Sequence, residues 1–432
     1  MLTTVLALSA LMMAEPPSLS SVERAAGWRL YSGADATSVW RGYKQPAFPS
    51  KGWTVENGVI ATAKGGGGGD IITNEQFSDV EMSFEFKLGE AANSGVMWRV
   101  AETDGPTYQT GPEYQLLEDA TYPGKPQPGQ YCGALYDLYP PSPAGEEKKT
   151  MKPVGEWNTG RIYLRNGQVQ HWLNGVKIVD AHVFDDAGEP TKEWLGKIAG
   201  SKFAAMKGFG VQKKGHIAVQ DHGDTELALR NVKVRDLGMP MPGEVKLFNG
   251  KDLTGWTSCL PNAKDKFEAW SVRDGVLVCK GQPIGYLRTE QKYTNFVLKL
   301  EWRFNPEKGA GNSGVLVRMI GDDKVWPKSV EAQLQSENAG DFWNIEEFAM
   351  TVDKSRTNGR NTKKLPTASP VERPIGEWNE YEIIVNKGDV ILNVNGQELN
   401  RATNVEAVAG FICLQSEGAE IHFRNVRLVP LD

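Results

Sequence analysis

Apolar and polar residues alternate along most of this chain. The pattern is clear in VEMSFEFKL (80–88), in RIYLRNGQVQHWLNG (161–175), in ELALRNVKV (226–234) and in YEIIVNKGDVILNVNG (381–396). A period of two places one set of side chains on a buried face and the other in water, so each stretch predicts a half-buried β-strand. Asn-Gly, Lys-Gly and Asp-Gly pairs fall between the alternating runs, where hairpin turns need residues that tolerate positive φ. Short strands joined by such turns predict an all-β fold of two packed antiparallel sheets. The exception is KEWLGKIAGSKFAAM (192–206), which predicts a helix or helical lid.

The pattern is written twice. WTVENGVIATAKGGGGGDIITNEQFSDVEMSFEFKL (53–88) parallels WSVRDGVLVCKGQPIGYLRTEQKYTNFVLKLEWRF (270–304), and EAANSGVMWRV (90–100) parallels GAGNSGVLVRM (309–319). PVGEWNTGRIYLRNGQVQHWLNG (153–175) parallels PIGEWNEYEIIVNKGDVILNVNG (374–396), and HIAVQDHGDTELALRNVKVRDL (216–237) parallels FICLQSEGAEIHFRNVRLVPL (411–431). The first copy carries about 26 additional residues between Gly175 and His216, the region of the expected helix. Repeats this long are duplicated domains. The predicted organisation is a signal peptide and short tail over 1–22, a first domain over 23–237, the linker GMPMPGE over 238–244, and a second, diverged domain over 245–432.

Composition narrows the function. A net charge of −6 with no basic stripe argues against nucleic acid as a partner. The apolar run in MLTTVLALSALMMAEPP has the length of a signal-peptide core and ends near Ala14, so a secreted or periplasmic location is expected. Nothing later approaches a membrane span. Four cysteines at these spacings form neither a disulfide framework nor a zinc pattern, so buried small side chains are the expectation. GGGGG (65–69) lacks the lysine and helix of a phosphate loop, and a flexible hairpin is expected there.

Together, LFNGKDLTGW (247–256), NSGVMWR (93–99), GPEYQLLEDA (111–120), GALYDLYPP (133–141), GEWNTGRIYL (155–164), KGHIAVQDHG (214–223) and LRNVKVRDL (229–237) resemble the 3-keto-disaccharide hydrolase family. The resemblance spans 28–237 and, more loosely, 244–431. It implies two tandem concanavalin A-like jelly-roll β-sandwiches. It also implies 3-keto-α-glucoside 1,2-lyase or 3-keto-2-hydroxyglucal hydratase chemistry on an oxidised oligosaccharide or glycoside. A ketone at C3 acidifies the C2 hydrogen, so a base can remove it and expel the C1 substituent. That reaction asks for a tuned base, a group that stabilises the enolate oxygen, and an acid for the leaving group.

Candidate residues follow from these needs. In GPEYQLLED, Glu113 and Gln115 share one strand face and Tyr114 and Leu116 the other, which reads as the polar floor of a sugar groove. Glu113 is a base or a hydrogen-bond anchor, Gln115 a hydroxyl binder, and Asp119 a strand-end carboxylate for a metal or a histidine. Arg99, on the face of Met97, either polarises the C3 ketone or pairs with Glu113; Arg318 and Glu331 repeat both residues. Of five histidines, His171, His182, His216 and His222 lie in the first half and only His422 in the second. His171, replaced by Leu392, is a candidate for proton transfer, whereas Asp221 and His222 could instead hold a divalent cation. Tyr136, Trp98, Trp157 and Trp172 are large enough to stack on sugar rings, although aromatic side chains in a sandwich more often fill the core.

These losses in the second copy point to catalysis in the first, with the second a degenerate enzyme, a sugar-binding module or a second site of different specificity. Two alternatives remain open. A glycoside hydrolase on the same fold would use two carboxylates, and EYQLLE (113–118) echoes a laminarinase-like signature with glutamine in place of aspartate. A lectin-like module would bind sugar without turning it over.

Overall fold

The computed structural model describes residues 18–62, 65–142, 151–185, 187–223, 225–367 and 369–432. Residues 1–17 of the expected signal segment lie outside them. The chain divides into two compact units, one built from Arg29–Pro143 and Lys148–Gly238, the other from Met239–Asp432 together with Ser20–Trp28. The Ser20–Trp28 segment therefore departs from the sequence boundary at residue 23. Its short helix Ser21–Ala25 is capped by Ser20 and Glu23, and Ala26 packs with Met241, Val297 and Val429.

Each unit is a pair of antiparallel sheets. In the first unit, the larger sheet runs in the order Val176–His182, Gln168–Leu173, Asn158–Arg165, Val80–Leu88, Leu227–Asp236, Val59–Thr62, Trp53–Glu56. The smaller sheet runs Trp40–Gly42, Ile71–Thr73, His216–Val219, Asn93–Val100, Glu113–Leu117. Alternation in the sequence becomes burial: Met82, Phe84 and Phe86 from the larger sheet meet Val96, Trp98, Tyr114 and Leu116 from the smaller. Phe84 and Tyr114 pack edge to face with ring centres 5.6 Å apart. The hairpins fall where expected, with Asn166, Asn174 and Asn395 at φ of 48°, 48° and 47°, each followed by glycine.

The second unit repeats the plan. Gly314–Met319 lies between Phe411–Ser416 and Ser329–Gln333 in one sheet, and Phe296–Phe304 between Ile421–Pro430 and Asn379–Asn386 in the other. All four cysteines are buried, as small core side chains. Among the described residues no helix is long and apolar enough to cross a membrane.

Two local expectations change. The glycine run joins Val59–Thr62 of one sheet to Ile71–Thr73 of the other, so it is a crossover rather than a hairpin. It is pinned where Gly65 N–H donates to Gly223 O and Gly69 N–H to Asp221 Oδ2. The expected helix forms over Lys192–Ala199, and a 3-10 turn follows over Lys202–Ala205. Trp194 is fully buried and donates its indole N–H to Gly210 O, while Phe203 stacks on Phe209 at 4.0 Å. The insertion is thereby fastened to the core.

Candidate functional site

The site is built on the outer face of the smaller sheet of the first unit. Glu113 lies opposite Met97, Met97 opposite Ala218, and Ala218 opposite Ile72. Cross-strand partners share a face, so these side chains form one row. Gln115 lies opposite Gly95 in the neighbouring row. Gly95 is what lets the glutamate lie down: a β-carbon there would come 1.8 Å from Glu113 Oε1. In the amide orientation that suits its neighbours, Gln115 donates to Glu113 Oε1 and to Ser94 O, both at 3.1 Å.

The Glu113 carboxyl is 8% exposed, and burial pushes its pKa up to about 8. Lys202 acts in the opposite direction through its positive charge, while Asp70 and Asp137 reinforce the rise. A buried carboxyl resists ionisation because its charged form loses hydration. Asp70 itself is raised, first by burial, and receives hydrogen bonds from Thr107 Oγ1 and from Asp221 N–H.

Lys202, Asp70 and Asp137 were not singled out from the sequence. Lys202 opens the 3-10 turn of the insertion; its ammonium stands 3.9 Å over the Tyr136 ring and 2.7 Å from Asp137 Oδ2. Tyr136 in turn donates its backbone N–H to Glu113 O at 3.0 Å. Carboxyl, aromatic ring and cation thus come together from three separate stretches. No local spacing signalled Lys202; its only trace was its place in the segment that the second copy lacks.

The other candidates sit elsewhere. Arg99 does not share a face with Met97 and does not pair with Glu113. A bulge sets Trp98 and Arg99 together against Ile217, with Arg99 at φ 51°, which turns its side chain away. There it donates to Ser78 O and Gln212 O, lies 3.6 Å from Asp79 and stacks 4.3 Å over Phe184. Arg318 repeats the bulge at φ 54° and donates to Val408 O and Lys387 O. The arginine that closes each copy of the duplicated segment is therefore a device of the fold.

His171 points between the sheets, on the face opposite that of the groove. It is fully buried, 4.7 Å from Tyr114, and its Nδ1 meets Gly133 O at 3.0 Å. Burial lowers its pKa to about 4, so the ring is neutral at physiological pH. Asp119 is spent on the Cys132 N–H at 2.8 Å, within the loop that carries Tyr136. His222 is exposed near Asp70, and Asp221 uses both carboxylate oxygens on Gly69 and Gly223 N–H groups. Among the described residues no three His, Cys, Asp or Glu side chains are grouped to hold a metal ion.

Trp98 is core and stacks on Trp194. Trp157 lies between Lys87 and Arg230, and Trp172 beside Arg161, away from Glu113. The pairing of Glu113–Leu117 with its neighbour shows no register shift, and Glu118 accepts from Ala120 N–H. The bulge that would set a second carboxylate beside Glu113 is absent from this strand.

Comparison with known proteins adds the family context. The 3-keto-alpha-glucoside-1,2-lyase-like domain matches residues 27–235 and again 243–429. A 3-keto-disaccharide hydrolase of Bacteroides thetaiotaomicron is 33% identical over 229 residues, covering 46% of this chain and 74% of that protein. Two crystal structures of Parabacteroides distasonis proteins, each named a candidate glycosyl hydrolase, are similar at 30% and 25% identity. The first covers 51% of this chain and 99% of its own with a TM-score of 0.45; the second covers 49% and 99% with a TM-score of 0.37.

Proposed function

The chain belongs to the 3-keto-alpha-glucoside-1,2-lyase-like family, and on that premise we propose that its first unit cleaves 3-keto-glycosides at the Glu113 groove. The protein is an enzyme of this family. In the proposed reaction the Glu113 carboxylate removes the C2 hydrogen, and the electron pair moves onto the C3 oxygen as an enolate. When the enolate collapses, the C1–O bond breaks and the leaving oxygen takes a proton. Water adding back across the resulting double bond completes a net hydrolysis.

The observation that carries this reading is the Glu113 environment. A base works best with a pKa near the working pH, and burial brings this carboxyl to about 8. Proton uptake from C2 converts it into the neutral acid that burial favours. Lys202 supplies positive charge at the same place, able to stabilise the developing enolate. In this reading Gln115 holds the Glu113 carboxyl and the Tyr136 ring holds the Lys202 ammonium beside it. The glycosidase alternative asks for a second carboxylate working with Glu113, and the Glu113–Leu117 strand offers none there.

The test is to supply a 3-keto-glucoside and its unoxidised parent in deuterated water. Cleavage of the keto form alone, with deuterium entering at C2, is expected. Cleavage of the parent sugar would establish the glycosidase instead, and binding of both without turnover a lectin.

A further inference from the structure

The second unit repeats the buried glutamate at the corresponding place in its sheet. Glu331 is 5% exposed and lies opposite Leu316, as Glu113 lies opposite Met97. Gly314 provides the same cradle: a β-carbon there would come 2.5 Å from Glu331 Oε1 and 2.4 Å from Gln415 Oε1. Trp343 sits directly across from Glu331, the position that Tyr136 holds beside Glu113.

The cation is rebuilt from a different element. No counterpart of the Lys202 insertion exists here. Instead Arg360, between the strands Thr357–Asn358 and Asn361–Thr362, places its guanidinium 6.0 Å over the Trp343 ring and its charge on Glu331. Gln415 is 1% exposed, and neither amide atom finds a partner of sound hydrogen-bond geometry, although the side chain lies against the Glu331 carboxyl.

We propose that the cluster of Glu331, Gln415, Trp343 and Arg360 in the second unit is a second active centre for the same class of oxidised glycoside. This rests on the reading of the Glu113 groove. Glu331 takes the C2 proton and becomes neutral; the C1–O bond breaks, its electron pair leaves on the aglycone oxygen, and water protonates that oxygen. Burial raises the Glu331 carboxyl to about 8, as it does Glu113. The two centres are not equivalent. Tyr286, opposite Gln415 and bonded through its hydroxyl to Asp323, stands where the first unit has Asp70.

The experiment compares the full-length chain with E113Q, E331Q and E113Q/E331Q on one 3-keto-glucoside, melting each variant to show that it is folded. E113Q is expected to retain turnover that falls on the order of 100-fold when E331Q is added. Arg360→Met and Trp343→Ala, one exposed and one partly so, should each weaken what E113Q retains by about tenfold. E113Q already as inactive as the double variant overturns the second centre and leaves the first standing. A wild-type chain inert toward keto-sugars overturns both. Activity undiminished in E113Q and abolished by E331Q supports the second centre while overturning the first.

Discussion

Gly95 lies diagonally across from Glu113 on the adjacent strand, so close that a single methyl group on residue 95 would come 1.8 Å from a carboxylate oxygen. The glutamate is held flat against the sheet because its neighbour has no side chain. Gly95→Ala should therefore displace Glu113 while leaving the strand paired. On an E331Q background, where only the first centre works, we expect kcat/KM to fall about 100-fold, comparable to adding Glu113→Gln, with a melting temperature within a few degrees of the parent. Steady-state kinetics and calorimetry check this, and a fully active Gly95→Ala protein on that background would remove Glu113 from the reaction.

The pH profile should follow the carboxyl. Because the base form of Glu113 appears near pH 8, kcat/KM should rise with pH to an acid limb at about 8 rather than in the usual carboxylate range. Lys202 lowers this pKa, so Lys202→Met should shift the limb to higher pH and reduce kcat besides. A limb near 4.5 in both proteins would contradict the assignment.

Stability should move the opposite way. Glu113 and Glu331 bind protons more tightly folded than unfolded. Their contribution is therefore fully present below the unfolded pKa of about 4.3, and it is lost as pH rises toward about 8. Each group should impose a slope of about −1.4 kcal/mol per pH unit within that window. Denaturant titrations from pH 5 to 8 measure it, and E113Q/E331Q should flatten the curve.

His171 carries the reverse sign. Its folded pKa is depressed to about 4, so its contribution is present above about 6.5 and lost as pH falls toward 4. His171→Ala opens a cavity beside Tyr114 and strands the Gly133 carbonyl, at a cost of about 2–4 kcal/mol. Turnover by the fraction that remains folded should be nearly normal. A large fall in kcat without loss of stability would return the histidine to the mechanism.

Arg99→Lys should likewise act on the fold. The fork that grips Ser78 O and Gln212 O becomes a single ammonium, at a cost of about 1–3 kcal/mol. KM and kcat at low temperature should be unchanged, and a raised KM would point to a role in the groove.

The sequence by itself determined the strands, their hairpins, the duplication and the face that pairs Glu113 with Gln115. Each of these is a local property: a period of two, a turn residue at fixed offset, a repeat of the string. It misplaced Arg99 because one extra residue in a bulge reverses every face beyond it, and nothing in NSGVMWR announces the positive φ at residue 99. For His171 the alternation put the ring on the face of Val169 and Leu173 but did not say that this face was the core. With the ring between the sheets, His171 no longer distinguishes the two copies, whereas the insertion that carries Lys202 still does.

Only the tertiary structure brought Lys202 to Tyr136 and Glu113, and Arg360 to Trp343 and Glu331. Both cations arrive through packing of distant segments, in one case a helical insertion anchored by Trp194 and Phe203, in the other a β-turn. The tuning of the two carboxyls was decided there as well. Desolvation depends on what covers a residue, and cover is supplied by parts of the chain that no local pattern connects.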